Sequence, residues 1–320
     1  MKTEGQTLIK ASAAPYRRVE VQRLSGALGC TISGVDLAKL DDDTFAEIHR
    51  ALAEHQVICF HDQELTPAEQ CAFAARFGPL TRHPLIKTLD QHPHVAQLIR
   101  EADETGMNFG GVWHADGTFM ESPPLGSTLY AIEVPPFGGD TMFTSLYLAY
   151  ESLSAGMRAL CDRLILVHSA GAVYDPARGA TDPKRSLVGQ KGMKFNLGED
   201  VKKEMEHPVV CVHPVTGRKL LWVPGVYGIR FKDMTEEESK PLLQYLQHHV
   251  SNPSFTCRVS YRKGTLTMWD NRCVQHFAVN DYTGYRRVMH RVQVGGSPPV
   301  GPAMPTRQRT LVNEIETVTL

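Results

Sequence analysis

The sequence predicts a mainly β protein with flanking helices, of the α+β class, folded as a β-sandwich or jelly roll. Short runs typical of strands recur along the chain and are densest in its last third. Helical patterns lie before and between these runs without alternating with them regularly, which argues against a parallel βαβ sheet. The 320 residues, 42% of them hydrophobic, suffice for one large core. We therefore expect a flexible tail over residues 1–16 and a single domain over residues 17–320.

The first third of the chain predicts strands and two capped helices. Acidic residues followed by apolar residues at helical spacing predict an amphipathic helix from Asp41 to Gln56. A second helix is predicted from Thr66, where Pro67 and Glu69 complete the pattern of an N-cap with a capping box, to about Phe77. Strands are predicted at Arg18 to Leu24, Cys30 to Val35 and Val57 to Phe60.

The remaining two thirds predict most of the sheet. Residues 87–111 are polar and predict a long loop, whereas Ser145 to Leu164 and Thr235 to His249 predict helices. The region from Ser169 to Asp200 is rich in Gly, Lys and Arg, and its apolar residues show no clear period. This predicts a long mobile loop that covers a site. Strands are predicted at Thr128 to Val134, Asp140 to Thr144, Val209 to His213, Lys219 to Val223, Phe255 to Ser260, Thr265 to Trp269, Cys273 to Val279 and Arg287 to Val294.

The balance of charge points to a small ligand. The chain has 34 basic and 35 acidic residues, so no global field attracts nucleic acid or a membrane surface. Its seven cysteines are odd in number and lack paired short spacings, which argues against a disulfide framework and a zinc knuckle. Neither an apolar run of membrane-spanning length nor a signal-peptide pattern occurs. We expect a cytoplasmic protein that binds neither nucleic acid nor membrane.

The run from Val112 to Phe119 contains a compact pair of metal-binding side chains. His114 and Asp116 lie two positions apart, and on an extended strand such side chains leave the same face. His114 is the only histidine of the chain that is followed two residues later by an acid. With a second histidine, the pair would form a 2-His-1-carboxylate facial triad, which leaves positions open for a cosubstrate and dioxygen. The alternative is an Asx-turn beside an ordinary buried histidine.

The second histidine is predicted to be His276. It lies in a strand-like run after a turn, from which a jelly-roll strand can direct one side chain into the mouth of the barrel. Arg287 and Arg291 follow on the last predicted strand, where they share one face and valines take the other. Buried guanidinium groups need anions, and arginine binds carboxylates or sulfonates in a bidentate manner. The alternative is a surface strand that is salt-bridged to neighbouring loops.

Taken together, these residues resemble the taurine dioxygenase (TauD/TfdA) family of Fe(II)- and 2-oxoglutarate-dependent oxygenases. The resemblance rests on the His114-x-Asp116 pair, on His276 in the run Trp-Asp-Asn-Arg-x-x-x-His, and on Arg287 and Arg291 in the run Arg-Arg-Val-Met-His-Arg. It covers nearly the whole chain, from about residue 19 to residue 295. It implies a double-stranded β-helix, a cupin-like jelly roll with helical insertions, and Fe(II) bound by His114, Asp116 and His276.

The resemblance also implies roles for residues around the metal. Thr141 and Arg287 match positions that hold the carboxylate of 2-oxoglutarate remote from the metal, and Arg291 and His83 match residues that meet the acidic group of the substrate. Dioxygen is the remaining reactant, and succinate and CO2 are the products of the cosubstrate. Family members are commonly dimers or tetramers, so a homo-oligomer is expected.

Two departures from the taurine enzyme's pattern bear on the substrate. Ile86 stands where a tyrosine is expected and Gly110 where an asparagine is expected, so two polar contacts to an amino-sulfonate are lost. We expect hydroxylation next to the acidic or heteroatom group of a small organic acid, which is a sulfonate or an alkyl sulfate. The alternatives are an aryloxyalkanoate ether-cleaving dioxygenase of the same family and, from another class, a non-catalytic metal-binding jelly-roll protein.

Overall fold

A large sheet runs through the computed structural model, which describes residues 14–83, 86–106, 108–174, 192 and 203–303. The strands of the described chain are β1 (Glu20–Arg23), β2 (Cys30–Ser33), β3 (Val57–Phe60), β4 (Leu80–Thr81), β5 (Thr88–Leu89), β6 (His92–Arg100), β7 (Gly126–Glu133), β8 (Thr141–Ser145), β9 (Ile165–Ser169), β10 (Glu204–Pro208), β11 (Val210–Val212), β12 (Lys219–Leu221), β13 (Gly228–Phe231), β14 (Thr256–Val259), β15 (Leu266–Asp270), β16 (Val274–Ala278) and β17 (Arg287–Val294). The helices are α1 (Asp42–His55), α2 (Pro67–Ala75), α3 (Leu146–Glu151), α4 (Ala155–Cys161), α5 (Gly171–Tyr174) and α6 (Glu236–Val250).

The large sheet has the strand order β1-β2-β3-β15-β7-β17-β6-β5, and β4 also pairs with β17. The pairing of β2 with β3 is parallel, and the others in this sheet are antiparallel. A smaller antiparallel sheet has the order β14-β8-β16. Two further small sheets have the orders β10-β9-β13 and β11-β12. This mixed arrangement of strands and helices confirms the predicted α+β class.

The two faces of the large sheet contact different partners. Helices α1 and α2 pack on one face, where Ile48 and Phe73 share an apolar cluster with Met268 and Val292. On the other face, Trp269 and Met289 belong to a second cluster, which includes side chains from all three strands of the small sheet. The large and small sheets therefore enclose a common core, and the residues of the site project from the strands around it.

Both predicted capping boxes are present. Thr66 accepts from the backbone N–H of Glu69, whose carboxylate accepts from the backbone N–H of Thr66, and Thr235 and Glu238 repeat this arrangement at the start of α6. Each box satisfies backbone donors that the first turn of a helix leaves unpaired. Among the described residues, no helix has the length and apolar character required to cross a bilayer.

The predicted polar loop over residues 87–111 is wrong for much of its length, because it contains β5 and β6. Strand β6 carries His, Gln and Arg among its apolar residues, and the adjacent residues Val95 and Ala96 are both buried, so the alternation that marks a strand is weak. Strands β9, β10 and β13 were also not predicted. The mobile loop predicted from Ser169 to Asp200 lies outside the described residues except for residues 169–174 and 192. The predicted tail lies outside them up to residue 13.

Candidate metal centre and its surroundings

Two histidines and one aspartate converge where the large and small sheets meet. The backbones of His114 and His276 form an isolated antiparallel bridge, with N–O distances of 3.0 Å and 2.8 Å. The Nε2 atoms of both rings lie 3.7 Å from Oδ1 of Asp116. Two atoms that are each about 2.1 Å from one divalent ion can be at most about 4.2 Å apart, so a single ion can contact each pair. The structure thus brings together the three residues that the sequence predicted.

Neighbouring groups fix the orientation of these ligands. Nδ1 of His114 lies 2.7 Å from the carbonyl oxygen of Val112, so Nδ1 carries the proton and Nε2 keeps its lone pair for a metal. Asn271 holds the backbone of Asp116 from both sides, since its Oδ1 accepts from the Asp116 N–H at 2.8 Å and its Nδ2 donates to the Asp116 carbonyl at 3.0 Å. Nδ2 also donates to the carbonyl of Pro124. Asn271 was not predicted as a site residue, although it lies in the matched run Trp-Asp-Asn-Arg.

The electrostatics give each ligand the protonation state that metal binding requires. Burial alone would raise the pKa of Asp116, but the charge and the hydrogen bond of Arg291 oppose burial and hold that pKa well below its usual range. Burial lowers the pKa of both His114 and His276, and the charge of Arg291 lowers it further. The site therefore offers one carboxylate and two neutral imidazoles.

Arg287 presents an unpaired cation to a neighbouring cavity. Its side chain is buried, and its Nε and Nη2 have no hydrogen-bond partner among the described residues. The guanidinium lies 5.3 Å from the ring centre of Tyr261, and a Cβ on Gly139 would come within 3.1 Å of Nε. Thr141 is buried at the start of β8. The cavity is lined by Leu98, Ile99, Arg100, Glu104, Asn108, Phe109, Tyr282 and Arg287. A buried cation of this kind requires an anion.

His83 is held as a neutral hydrogen-bond donor. Burial, with a further contribution from the charge of Arg291, lowers the pKa of His83 to about 3. The backbone N–H of Ile86 donates to Nδ1 of His83 at 3.1 Å, so the neutral ring carries its proton on Nε2. His83 lines a cavity beside Asp116.

Arg291 lies against the metal ligands. Its Nη2 donates to Oδ2 of Asp116 and, at 3.1 Å, to Oγ of Ser127, while its Nε has no partner among the described residues. The predicted arrangement of faces on β17 is confirmed, because Met289 faces the core shared with the small sheet and Val292 faces the helices. Arg291 is thus on the side of the sheet that carries the site, where it is bonded to Asp116.

The space in front of the triad is walled by aromatic and aliphatic side chains. One cavity, of about 540 Å³ and open to solvent, is lined by Asn108, Phe109, Gly110, Gly111, Val112, His114, Val173, Tyr174, Val226 and Tyr227. An adjoining cavity is lined by His83, Phe109, His114, Asp116, Gly117, Phe119, Met120, Pro124, Tyr174, Tyr227 and Gln293. No sequence pattern singled out the aromatic residues of this wall, because they come from three separate turns and from helix α5.

The two positions that depart from the taurine enzyme's pattern have different surroundings. Gly110 lines the larger cavity with a φ of +80°, and a Cβ there would lie 3.3 Å from Cε1 of His114. Ile86 is 3% exposed and packs with Ala96 and Phe109, so it supports the wall from behind. Neither residue offers a polar side chain to the cavity.

A second cluster of potential ligands lies nearby, made of His213, Asp270 and Cys273. Asp270 accepts from Nε2 of His213 at 3.0 Å and from both Nε and Nη2 of Arg272. The ion pairs occupy both carboxylate oxygens, so this cluster is a buried structural network.

Comparison with known proteins gives one consistent result. Residues 20–293 match the model of the family described as "Taurine catabolism dioxygenase TauD, TfdA family". The chain is 34% identical to an alpha-ketoglutarate-dependent sulfate ester dioxygenase of Pseudomonas putida, over 91% of this chain and 94% of the relative. It is 30% identical to an (S)-phenoxypropionate/alpha-ketoglutarate-dioxygenase of Sphingobium herbicidovorans, over 87% and 96%. The crystal structure of a taurine dioxygenase from Burkholderia xenovorans superimposes with a TM-score of 0.74 at 33% identity, over 89% of this chain and 94% of that chain.

Proposed function

The chain belongs to the TauD, TfdA family of 2-oxoglutarate-dependent dioxygenases, and we propose that it hydroxylates an alkyl sulfate or an apolar sulfonate at the carbon next to the acidic group. Because the chain belongs to a family of enzymes, we do not propose the alternative of a non-catalytic metal-binding protein. The cosubstrate is 2-oxoglutarate, and the metal site consists of His114, Asp116 and His276.

We propose Fe(II) as the metal. Two neutral imidazoles and one carboxylate are the donor set of a facial triad with three open positions. When bound, Fe(II) and 2-oxoglutarate activate dioxygen through oxidative decarboxylation to succinate and CO2 and so supply the oxidant that removes hydrogen from the substrate. Arg287 and Thr141 are proposed to hold the far carboxylate of the cosubstrate. The unpaired Nε and Nη2 of Arg287 support this role.

His83 and Arg291 are proposed to hold the acidic group of the substrate. His83 lines the smaller cavity as a neutral ring, and the charge of Arg291 acts on His83, Tyr174 and Tyr227 around that cavity. With the acid held there, the adjacent carbon lies next to Asp116 and the metal ligands. Phe109 and the two tyrosines line this space.

The observation that carries the proposal is the apolar wall in front of the triad. Among the residues that line the smaller cavity, Phe109, Phe119, Met120 and Pro124 offer apolar surface for a hydrocarbon chain. The ammonium group of taurine would be desolvated against this surface at a large cost. For an alkyl sulfate, R–CH2–O–SO3⁻, hydroxylation of the ester carbon gives R–CH(OH)–O–SO3⁻, which breaks its C–O bond to give the aldehyde and hydrogen sulfate.

An aryloxyalkanoate is the second candidate substrate. The 30% identity to a phenoxypropionate dioxygenase supports it, and an aromatic ring also fits an apolar wall. The two candidates differ in the acidic group, which is a sulfo group in one case and a carboxylate in the other.

Competition among substrates tests the proposal. Octyl sulfate, 1-octanesulfonate, phenoxypropionate and taurine would be offered at equal concentrations with Fe(II) and 2-oxoglutarate, and the loss of each would be followed by mass spectrometry. We expect octyl sulfate or octanesulfonate to be consumed first. Preferential consumption of phenoxypropionate would establish the second candidate, and preferential consumption of taurine would contradict the argument from Ile86, Gly110 and the apolar wall.

Three further proposals concern the fold, the oligomeric state and the location of the protein. We propose that the large and small sheets form a double-stranded β-helix, supported by the core that both share. A dimer or tetramer follows from the family resemblance and is tested by light scattering. A cytoplasmic location is supported by the seven cysteines, which are all unpaired thiols.

A further inference from the structure

Arg100 and Arg287 are two buried cations that lie opposite each other on neighbouring strands. They are direct partners in the antiparallel pairing of β6 with β17, so their side chains leave the same face of the sheet. Their exposed fractions are 7% and 9%, and both residues line the same cavity. Like charges in directly opposite positions of a sheet are destabilising. An anion bound beside both guanidinium groups would remove this repulsion.

The partners of the two arginines among the described residues are neutral groups. Nη2 of Arg100 donates to the carbonyl oxygens of Glu104 and Gly106, at 2.9 Å and 3.2 Å. Nε and Nη2 of Arg287 have no hydrogen-bond partner among the described residues. Cζ of Arg100 lies 5.4 Å from the ring centre of Tyr282, and Cζ of Arg287 lies 6.0 Å from it. Buried charges are normally paired with an opposite charge, and neutral partners leave both cations without a counter-ion.

Glu104 also lines this cavity, but it is not the counter-ion of the pair. Oε1 of its carboxylate accepts from the backbone N–H of Gly192 at 2.8 Å, and the carboxylate forms an ion pair with neither Arg100 nor Arg287. The residues that line the cavity thus include two cations and one acid, so their formal charge is positive. Without Arg100, the acid would offset the charge of Arg287. A carboxylate is therefore attracted to this cavity only while both arginines are present.

The cavity adjoins the space in front of the metal site. Asn108 and Phe109 line both this cavity and the larger one, which His114 also lines. A molecule that extends from the metal ligands past Phe109 therefore meets the arginine pair. The proposed function already places the far carboxylate of 2-oxoglutarate at Arg287, which is one member of this pair.

We propose that Arg100 supplies a second positive charge to the far carboxylate of 2-oxoglutarate, beside Arg287. The carboxylate relieves the repulsion between the two guanidinium groups, and each of its oxygens can accept from a charged donor. The pair then selects a keto acid that ends in a carboxylate over one that ends in a methyl group. This inference rests on the proposed function, which assigns Arg287 to the same carboxylate.

The test compares two keto acids on protein loaded with Fe(II), without oxygen. 2-Oxopentanoate has the keto-acid end and the chain length of 2-oxoglutarate, but a methyl group replaces the far carboxylate. Calorimetry would give both dissociation constants for the wild type, Arg100→Met and Arg100→Lys. We expect Arg100→Met to weaken the binding of 2-oxoglutarate about tenfold and that of 2-oxopentanoate less than about twofold. Arg100→Lys keeps the charge, so it should weaken the binding of 2-oxoglutarate less than about threefold.

A purely structural role of Arg100 predicts a different pattern. Both substitutions remove the guanidinium that donates to the carbonyls of Glu104 and Gly106, so both variants should melt below the wild type. If this support alone mattered, 2-oxoglutarate would be lost equally in both variants, or 2-oxopentanoate would be lost to the same degree, and either result would overturn the inference. Arg76→Met is the matched control, because Arg76 also contacts an aromatic ring and a backbone carbonyl but lies at the end of α2, outside this cavity. Its dissociation constants should equal those of the wild type.

Arg287→Met separates the inference from the proposed function. If this variant loses the preference for 2-oxoglutarate over 2-oxopentanoate while Arg100→Met keeps the preference of the wild type, the role of Arg100 is refuted and the proposed function stands. If the wild type itself binds 2-oxopentanoate as tightly as 2-oxoglutarate, the assignment of Arg287 fails together with the inference. Loss of the preference in both variants, with Arg100→Lys close to the wild type, is the result that the inference predicts.

Discussion

The guanidinium of Arg291 donates to the carboxylate of Asp116, so a strand residue is bonded directly to the anionic ligand of the metal site. The two oxygens of the carboxylate have different partners. Oδ1 lies 3.7 Å from the Nε2 atoms of His114 and His276, while Oδ2 accepts from Arg291 and, at 3.3 Å, from Ser127. This division leaves Oδ1 for the metal and uses Oδ2 to fix the orientation of the group.

For Arg291→Gln, we expect the substrate dissociation constant to rise roughly 10- to 100-fold, because a charged donor to the acidic group is lost. The affinity for Fe(II) should fall less than that for the substrate, since Ser127 still holds Oδ2 of Asp116. Calorimetry without oxygen would measure both affinities. Arg286→Gln is the control, because Arg286 is paired with Glu101 and Glu133 at the surface. Unchanged turnover of Arg291→Gln would place the acidic group elsewhere.

For Asp116→Ala, we expect the affinity for Fe(II) to fall more than about 100-fold. Loss of a direct ligand should exceed the 10- to 100-fold effect that is typical of residues supporting a ligand. His276→Ala should behave similarly. Anaerobic titration with Fe(II) and 2-oxoglutarate would measure this through the weak visible absorption of the complex. Absorption and turnover of both variants equal to those of the wild type would refute the metal assignment.

For Arg287→Ala, the KM for 2-oxoglutarate should rise roughly 10- to 100-fold, while the KM for the substrate should change little. The reason is the loss of a charge-assisted contact to a carboxylate that would then be buried without a partner. Thr141→Val should have the same effect to a smaller degree. Initial rates of succinate formation at varied cosubstrate concentration supply the measurement. If the dependence on 2-oxoglutarate stays that of the wild type, the anion binds at another residue.

Acid should destabilise the protein through His168. This residue is fully buried, its Nδ1 lies 3.1 Å from Oγ1 of Thr118, and burial together with His207 lowers its pKa well below 6.5. The unfolded chain therefore binds a proton that the folded chain does not bind, so the stability due to neutral His168 is complete above about pH 6.5 and is lost as the pH falls below that value.

A substitution of His168 measures this contribution. In His168→Gln, the loss of unfolding free energy between pH 7 and pH 5 should be smaller than in the wild type by about 2 kcal/mol. Urea denaturation at both pH values gives the difference. His248→Gln, which changes an exposed residue of α6, should keep the pH dependence of the wild type. An unaltered pH dependence in His168→Gln would mean that His168 takes up a proton in the folded state.

The sequence predicted the residues whose roles depend on local spacing. The pair His114 and Asp116 could be identified because two-residue spacing on extended chain places both side chains on one side. The faces of β17 followed from the same rule, and the helix starts at Thr66 and Thr235 followed from capping chemistry. Each of these features is encoded within a few residues.

The features that the sequence did not predict depend on contacts between distant segments. In strand β6, neighbouring segments bury the adjacent residues Val95 and Ala96, so the strand lacks the expected alternation. The role of Asn271 required knowledge that the segment after β15 meets the backbone of Asp116, which is 155 residues away in sequence. Similarly, the bond from Arg291 to Asp116 joins a residue of the last strand to the metal-binding run.

The most direct test of the proposed reaction is the stoichiometry of its products. Purified protein would be supplied with Fe(II), 2-oxoglutarate, oxygen and octyl sulfate, and succinate and inorganic sulfate would be quantified in the same samples. We expect the two products in equal amounts, with neither formed when Fe(II) or 2-oxoglutarate is omitted and neither formed by Asp116→Ala. Release of sulfate without 2-oxoglutarate, or formation of succinate at a rate that octyl sulfate, octanesulfonate and phenoxypropionate all leave unchanged, would contradict the account.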